Sequence, residues 1–202
     1  MMKLRLLISI LLLSILLPSC NPNKTAAGRM DRAEDAINTA PEQALASLDS
    51  IRRTTLITAP RRARYALLKA MALDKCCIDT TDINLIMPAV RYYTRKGSPD
   101  EKMRTYLYLG RIHQNAFQND SAMVSYLRAA SYSERAVDLH YKGILMSSIS
   151  DVYRMGYNYA RALEYEEMAY SCFSAVGDTT NVWYALPHLA SLNSSKLNIS
   201  KS

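Results

Sequence analysis

Three histidines and four cysteines are the residues of this 202-residue chain best suited to covalent or metal chemistry. His113, His140 and His188 lie far apart in sequence, and none sits at the i, i+4 spacing that puts two ligands on one helix face. The chain has no His-Glu-x-x-His, no Gly-x-Ser-x-Gly and no Gly-rich phosphate loop. No neighbouring acid or nucleophile can be argued for His140, and His188 follows Pro187 in a segment read as a frayed helix. Glu164 and Glu167 share a helix face, but Arg161 one turn away makes them surface charge. The sequence therefore predicts no enzyme, no cofactor, no metal and no small-molecule substrate. Cys76, Cys77 and Cys172 are three thiols that cannot all pair, and an adjacent-residue disulfide would be strained, so they read as small buried hydrophobes.

Cys20 stands apart from them. Lys3 and Arg5 precede an apolar run, Leu6–Leu17, too short to span a bilayer comfortably but suited to a signal peptide. Leu17-Pro18-Ser19-Cys20 resembles the lipobox of bacterial lipoproteins, although Pro18 is an uncommon choice there. That resemblance implies removal of residues 1–19, acylation of Cys20, and a linker over residues 20–28. Two or more acyl chains hold a protein on a membrane stably where one does not. Losing Lys3 and Arg5 leaves 23 Lys+Arg against 18 Asp+Glu, a scattered net +5 that argues against nucleic acid. Asn21 is not the Asp that retains some lipoproteins at the inner membrane, so the expected address is the cell envelope, at the outer membrane facing the periplasm.

The rest of the chain must be built by helices. One domain of this length buries enough surface, ~70%, to need no disulfide. Ser98-Pro99-Asp100-Glu101 is a capping box with Pro at the first helical position, and Gly97 and Gly177 are natural helix stops. Hairpin turns and sustained alternation are absent from the sequence, so no strands are predicted.

Sliding the chain against itself gives a period of 40 residues. Tyr106, Leu109, Gly110 and His113 fall on Met146, Ile149, Ser150 and Tyr153, then on Leu186, Leu189 and Ala190. In the following helix Ala122, Tyr126 and Ala129 fall on Ala162, Glu166 and Ala169. Small residues at these positions let two helices approach closely while large ones fill the seam.

This pattern resembles the tetratricopeptide repeat (TPR) family, with Tyr106-x-x-Leu109-Gly110-x-x-His113 and Ala122, Tyr126 and Ala129 carrying the signature. The likeness departs from the family at Ser150, at Glu166 where an aromatic is expected, and at Lys69. Ala44, Leu48 and Ile51 read as the second helix of a degenerate first repeat. The resemblance implies an all-α, TPR-like solenoid of antiparallel helix pairs over residues 29–193, about four repeats plus a terminal helix. A polar tail over 194–202 follows it.

In that family the first helix of each pair lines a concave groove. Carried over by position, the lining here comprises Arg64, Met71, Arg104, Leu107, Tyr108, Arg111, Gln114, Asn115, Asp151 and Arg154. Leu67, Leu68, Ser147 and Met155 also belong to it, with Tyr184 and His188 extending it from the last helix. Guanidinium forks on Arg104, Arg111 and Arg154 match carboxylates, and Met71, Leu107 and Tyr108 are apolar anchors for an extended peptide. The competing reading makes these arginines a solvated face paired with Asp74, Asp151 and their neighbours. The function implied is a membrane-anchored scaffold or adaptor for a protein or peptide partner. Two other readings are a sensory or regulatory module of a split or truncated signalling protein, and a glycan-binding accessory lipoprotein. Asp49-Ser50-Ile51 and Asp120-Ser121-Ala122 also match a short O-glycosylation pattern of some Gram-negative lineages.

Overall fold

The computed structural model describes residues 25–199, with side chains through residue 195. The signal segment and Cys20 lie outside the described residues. Nine α-helices and no strand occur among the described residues: α1 Ala26–Ala36, α2 Pro41–Asp49, α3 Ala59–Lys75, α4 Met87–Lys96, α5 Pro99–Asn115, α6 Asn119–Ser133, α7 Leu139–Met155, α8 Tyr159–Ala175 and α9 Thr179–Ile199. Helix α1 starts three residues before the boundary expected at 29. Helix α9 runs on to Ile199, so most of the segment read as a polar tail is helical.

The helix starts follow from local chemistry. Thr25, Asp138 and Asn158 side chains accept the backbone N–H groups of Gly28, Tyr141 and Arg161, satisfying donors that the first helical turn leaves free. At Ser98 the capping box closes in both directions: the hydroxyl accepts Glu101 N–H at 3.2 Å and the Glu101 carboxylate accepts Ser98 N–H at 2.8 Å. Proline opens α2, α3, α4 and α5, where its missing N–H costs no helical bond.

Helices α1 and α2, α3 and α4, α5 and α6, and α7 and α8 pack as adjacent pairs, and α9 packs on α8. The first helices of successive pairs also touch, α1 on α3, α3 on α5 and α5 on α7. A single cluster of buried side chains runs from Met30 to Phe173. The alanines predicted for the seams, Ala122, Ala129, Ala162 and Ala169, are all fully buried.

Two glycines fix how close the helices come. A Cβ on Gly110 would lie 2.2 Å from the ring of Tyr126 on α6, and one on Gly143 would lie 2.6 Å from the ring of Phe173 on α8. The first was anticipated from the period, whereas Gly143 was not. At the position equivalent to Gly110, the Ser150 hydroxyl donates to the carbonyl of Ala162 at 2.8 Å and so replaces close contact with a hydrogen bond across the seam. Gly97 ends α4 as expected, without adopting the left-handed backbone that glycine often takes at a helix stop. Its backbone is extended (φ −78°, ψ 154°), and what excludes a side chain is the Tyr93 carbonyl, 2.9 Å from where the Cβ would stand.

The 40-residue period is written most sharply in the turns. Cys77, Phe117 and Tyr157 have φ of 55°, 57° and 59°. Each closes its helix with the same two backbone bonds, Cys77 to Asp74 and Ile78 to Leu73, Phe117 to Gln114 and Gln118 to His113, Tyr157 to Arg154 and Asn158 to Tyr153. This doubly bonded, left-handed stop is usually made by glycine, and here it is imposed three times on side chains that disfavour it. The Phe117 side chain is almost wholly exposed and Tyr157 is largely so, so they gain little burial in return. The cysteines depart from the expected burial. Cys77 is exposed at one of these stops, Cys76 and Cys172 are half-buried, and all three are free.

Candidate functional site

The first helices of the pairs bring the predicted groove residues onto neighbouring turns, but they do so with most of the charges already engaged. Arg64 on α3 reaches back to α1, bonding Asp31 at 2.7 Å and also the carboxylate of Glu34. Arg111 on α5 stands 3.6 Å from Asp74 on α3. Burial opposes the charge on Arg111, but Asp74 and its other neighbours more than offset this, and its pKa is raised. Arg154 and Asp151 pair with each other on α7 at 2.8 Å. Three of the four predicted arginines are therefore held in ion pairs within the chain. The pairings to Asp74 and Asp151 are those of the solvated-face reading.

Arg104 is the exception. Among the described residues it has no carboxylate partner, and its guanidinium lies 5.4 Å from the centre of the Tyr141 ring on α7, with its Nε buried and without a hydrogen-bond partner there. The tyrosine pair below it, Tyr108 and Tyr141, meets edge to face at 6.4 Å. Both hydroxyls are buried without a hydrogen-bond partner among the described residues, and burial pushes Tyr141 up to about 12 and holds Tyr108 well above its usual value. Lys75, at the end of α3, is shifted the opposite way, since burial disfavours its ammonium more than Asp74 and Asp178 favour it.

The apolar anchors are not available as read. Met71, Leu107 and Tyr108 are 1%, 0% and 1% exposed, and Leu67 and Leu68 are buried with them, so these side chains form the core between pairs rather than a lining. Helix α3 and helix α5 are flanked on both sides, which turns faces that one repeat leaves open into interior. Gln114 accepts the Tyr126 hydroxyl at 2.7 Å, and Asn115 donates to the Thr80 carbonyl at 3.3 Å, so both amides brace the fold.

The histidines also differ from expectation. His140 has an acid after all: its Nδ1 lies 2.8 Å from Asp178 Oδ2, because α9 starts beside the first turn of α7 although 38 residues separate the two side chains. Burial would raise Asp178, but bonds from Asn181 and His140 outweigh it and hold the carboxyl below its usual range. His188 sits within α9, 3.6 Å from Glu166. His113 bonds Gln118 at 2.8 Å and belongs to the turn after α5.

The residue that sequence reasoning underrated is Glu166. It occupies the seam position of Tyr126 in the preceding repeat, is 2% exposed, and accepts the Ser147 hydroxyl at 3.2 Å. Burial raises its pKa, opposed by His188 and by the serines. With Arg111, Ser147, Tyr184 and His188 it borders a cavity of about 80 Å³. Its departure from the aromatic pattern was the only available signal, and it said nothing about which groups would surround it. No group of three or more His, Cys, Asp or Glu side chains among the described residues is placed to hold a metal. No described helix is long and apolar enough to cross a membrane.

Compared with protein-family models, curated proteins and solved structures, the chain has no match.

Proposed function

We propose that this protein is a TPR-like interaction scaffold, anchored to the cell envelope through lipid on Cys20, whose first helices bind an extended acidic segment of a partner protein. The observation that supports it most is Arg104, the predicted groove arginine with no carboxylate partner among the described residues, which lies over the Tyr141 ring. A guanidinium is planar and presents its outer donors as a fork in one plane, which suits a carboxylate. The recurrent pair geometry, with first helices in mutual contact and left-handed stops 40 residues apart, supports the solenoid. The address rests on the sequence alone, on the run Leu6–Leu17 and on Leu17-Pro18-Ser19-Cys20.

The binding test uses the full chain in mild detergent with a fluorescent acidic decapeptide and its lysine counterpart, read by anisotropy. Arg104→Glu should abolish retention of the acidic peptide while circular dichroism stays unchanged. Equal binding of both peptides, or equal binding by wild type and Arg104→Glu, would remove the groove from the account. For the address, Cys20→Ser should move the protein from the membrane fraction to the soluble fraction, and an unchanged distribution would reject lipidation at that residue.

A further inference from the structure

In α5 and α7, residues 40 apart form the face that each first helix turns to its own second helix. Met103, Tyr106 and Gly110 form that face in α5, and Gly143, Met146 and Ser150 form it in α7. All six are buried. The same register in α9 gives Trp183, Leu186 and Ala190. Here Trp183 is 74% exposed, Leu186 is 42% exposed, and Ala190 is exposed as well. The opposite face of α9 is the one that packs, through Ala185 and Leu192, each 2% exposed. Helix α9 thus has one face sealed against α8 and a second, apolar face with the seam register and no helix upon it among the described residues.

The shape of that face states what covers it. In the α5/α6 and α7/α8 seams an aromatic ring rests on a glycine of the facing helix, Tyr126 on Gly110 and Phe173 on Gly143. The open face carries a looser version of such a contact, a large ring and a small side chain in place of glycine. The ring of Trp183 and the small side chain of Ala190 lie seven residues, or two helical turns, apart, with Leu186 and Pro187 between them. A face with large and small elements placed symmetrically about its middle is complementary to itself under a two-fold axis.

We infer that α9 is a self-association surface on which a second copy of this chain lays its own α9 antiparallel. The axis passes beside Leu186 and Pro187, so that each Trp183 ring seats on Ala190 of the partner subunit. The exposed apolar area of the face is on the order of 350 Å² per protomer, against ~800 Å² for a stable interface of ordinary size. The dimer is accordingly weak and concentration-dependent in solution. Confinement of both copies to one membrane surface raises their effective concentration and favours it. The inference needs only the geometry of α9, so it stands or falls separately from peptide binding at Arg104.

Trp183 is the chain's single tryptophan, which makes it a direct reporter. The full chain in mild detergent, with micelles in excess, would be followed by sedimentation equilibrium and by tryptophan emission over a ~100-fold range of protein concentration spanning the micromolar region. The expected result is a mass rising from one chain toward two, with the emission shifting to the blue over the same range. Leu186→Glu should stay at the mass of one chain with red-shifted emission at every concentration. Because Leu186 is exposed, this variant should keep the wild-type circular dichroism. Four results would overturn the inference: wild type at one chain throughout, a dimer that Leu186→Glu leaves intact, a mass increase without an emission shift, or an emission shift without a mass increase. The last would mean that amphiphile, not a second copy, covers the face.

Discussion

The substitution Gly110→Ala puts the packing argument at most risk, because local helix propensity and tertiary packing predict opposite signs. In an isolated helix the change adds about 1 kcal/mol of stability. In this protein the new methyl would stand 2.2 and 2.4 Å from two ring atoms of Tyr126, where ordinary carbon contact is ~3.5–4.0 Å. The ring cannot slide away freely, since Tyr126 is fully buried between Ala122 and Ala129 and its hydroxyl donates to Gln114 at 2.7 Å. Overpacking of this kind costs up to about 3 kcal/mol, and losing the hydroxyl bond costs about 1 kcal/mol more. Subtracting the propensity gain leaves a net loss of about 3 kcal/mol. At ~2–4 °C per kcal/mol for a domain of this size, the thermal midpoint should fall by about 6–12 °C. Circular dichroism melts would measure it. Gly156→Ala is the control, because a Cβ there meets nothing nearer than 3.5 Å and should leave the midpoint unchanged or slightly higher. Tyr126→Leu, destabilising alone, should make Gly110→Ala nearly neutral when the two are combined, a coupling that a double-mutant cycle isolates. A Gly110→Ala protein within ~0.5 kcal/mol of wild type would refute the close approach of α5 and α6.

Three further outcomes follow from particular groups. Phe117→Gly should raise stability by about 1 kcal/mol, because it relieves a left-handed residue whose side chain is 91% exposed; a lowered midpoint would mean that the ring is used. Ser98→Ala removes one arm of the capping box and should cost about 1 kcal/mol in chemical denaturation, with no loss if α5 is held by packing alone. Glu166 and Asp178 should give opposite pH dependences. Burial raises the Glu166 pKa, so its contribution is most favourable below the usual glutamate range and is lost as pH rises through the raised value. Glu166→Gln should therefore be more stable than wild type at pH 7 and lose that advantage near pH 4. Asp178 is held low despite its burial, so it contributes at neutral pH, and that contribution is lost as pH falls below the ordinary aspartate range. Asp178→Asn should accordingly cost stability at pH 7 and little at pH 3, with melts across pH 3–7 reading both variants.

Helix type, the capped start of α5 and the repeat length were legible in the sequence alone, because each is local or periodic. Ser98 and Glu101 cap α5 through bonds three residues apart, and Ala122, Ala129, Ala162 and Ala169 recur at a spacing that any register must bury. The candidate site was legible only as a set of positions. Arg64, Arg104, Arg111 and Arg154 look alike as letters, yet the pairing of the helices gives Arg64 to Asp31 and Glu34 and Arg111 to Asp74, Arg154 pairs with Asp151 on its own helix, and Arg104 has no carboxylate among the described residues. His140 acquired its acid in the same way, across 38 residues, when α9 returned beside α7. Met71, Leu107 and Tyr108 became core because a face that one pair leaves open is closed by the next. The left-handed stops at Cys77, Phe117 and Tyr157 were invisible for the converse reason. Residue preference argues against them there, and only the packing of the helices on either side fixes the angle of the turn. Sequence thus set which segments are helical and where each turns its small residues. Which charge meets which, and which apolar face stays open, depended on distances between helices that no local interaction fixes.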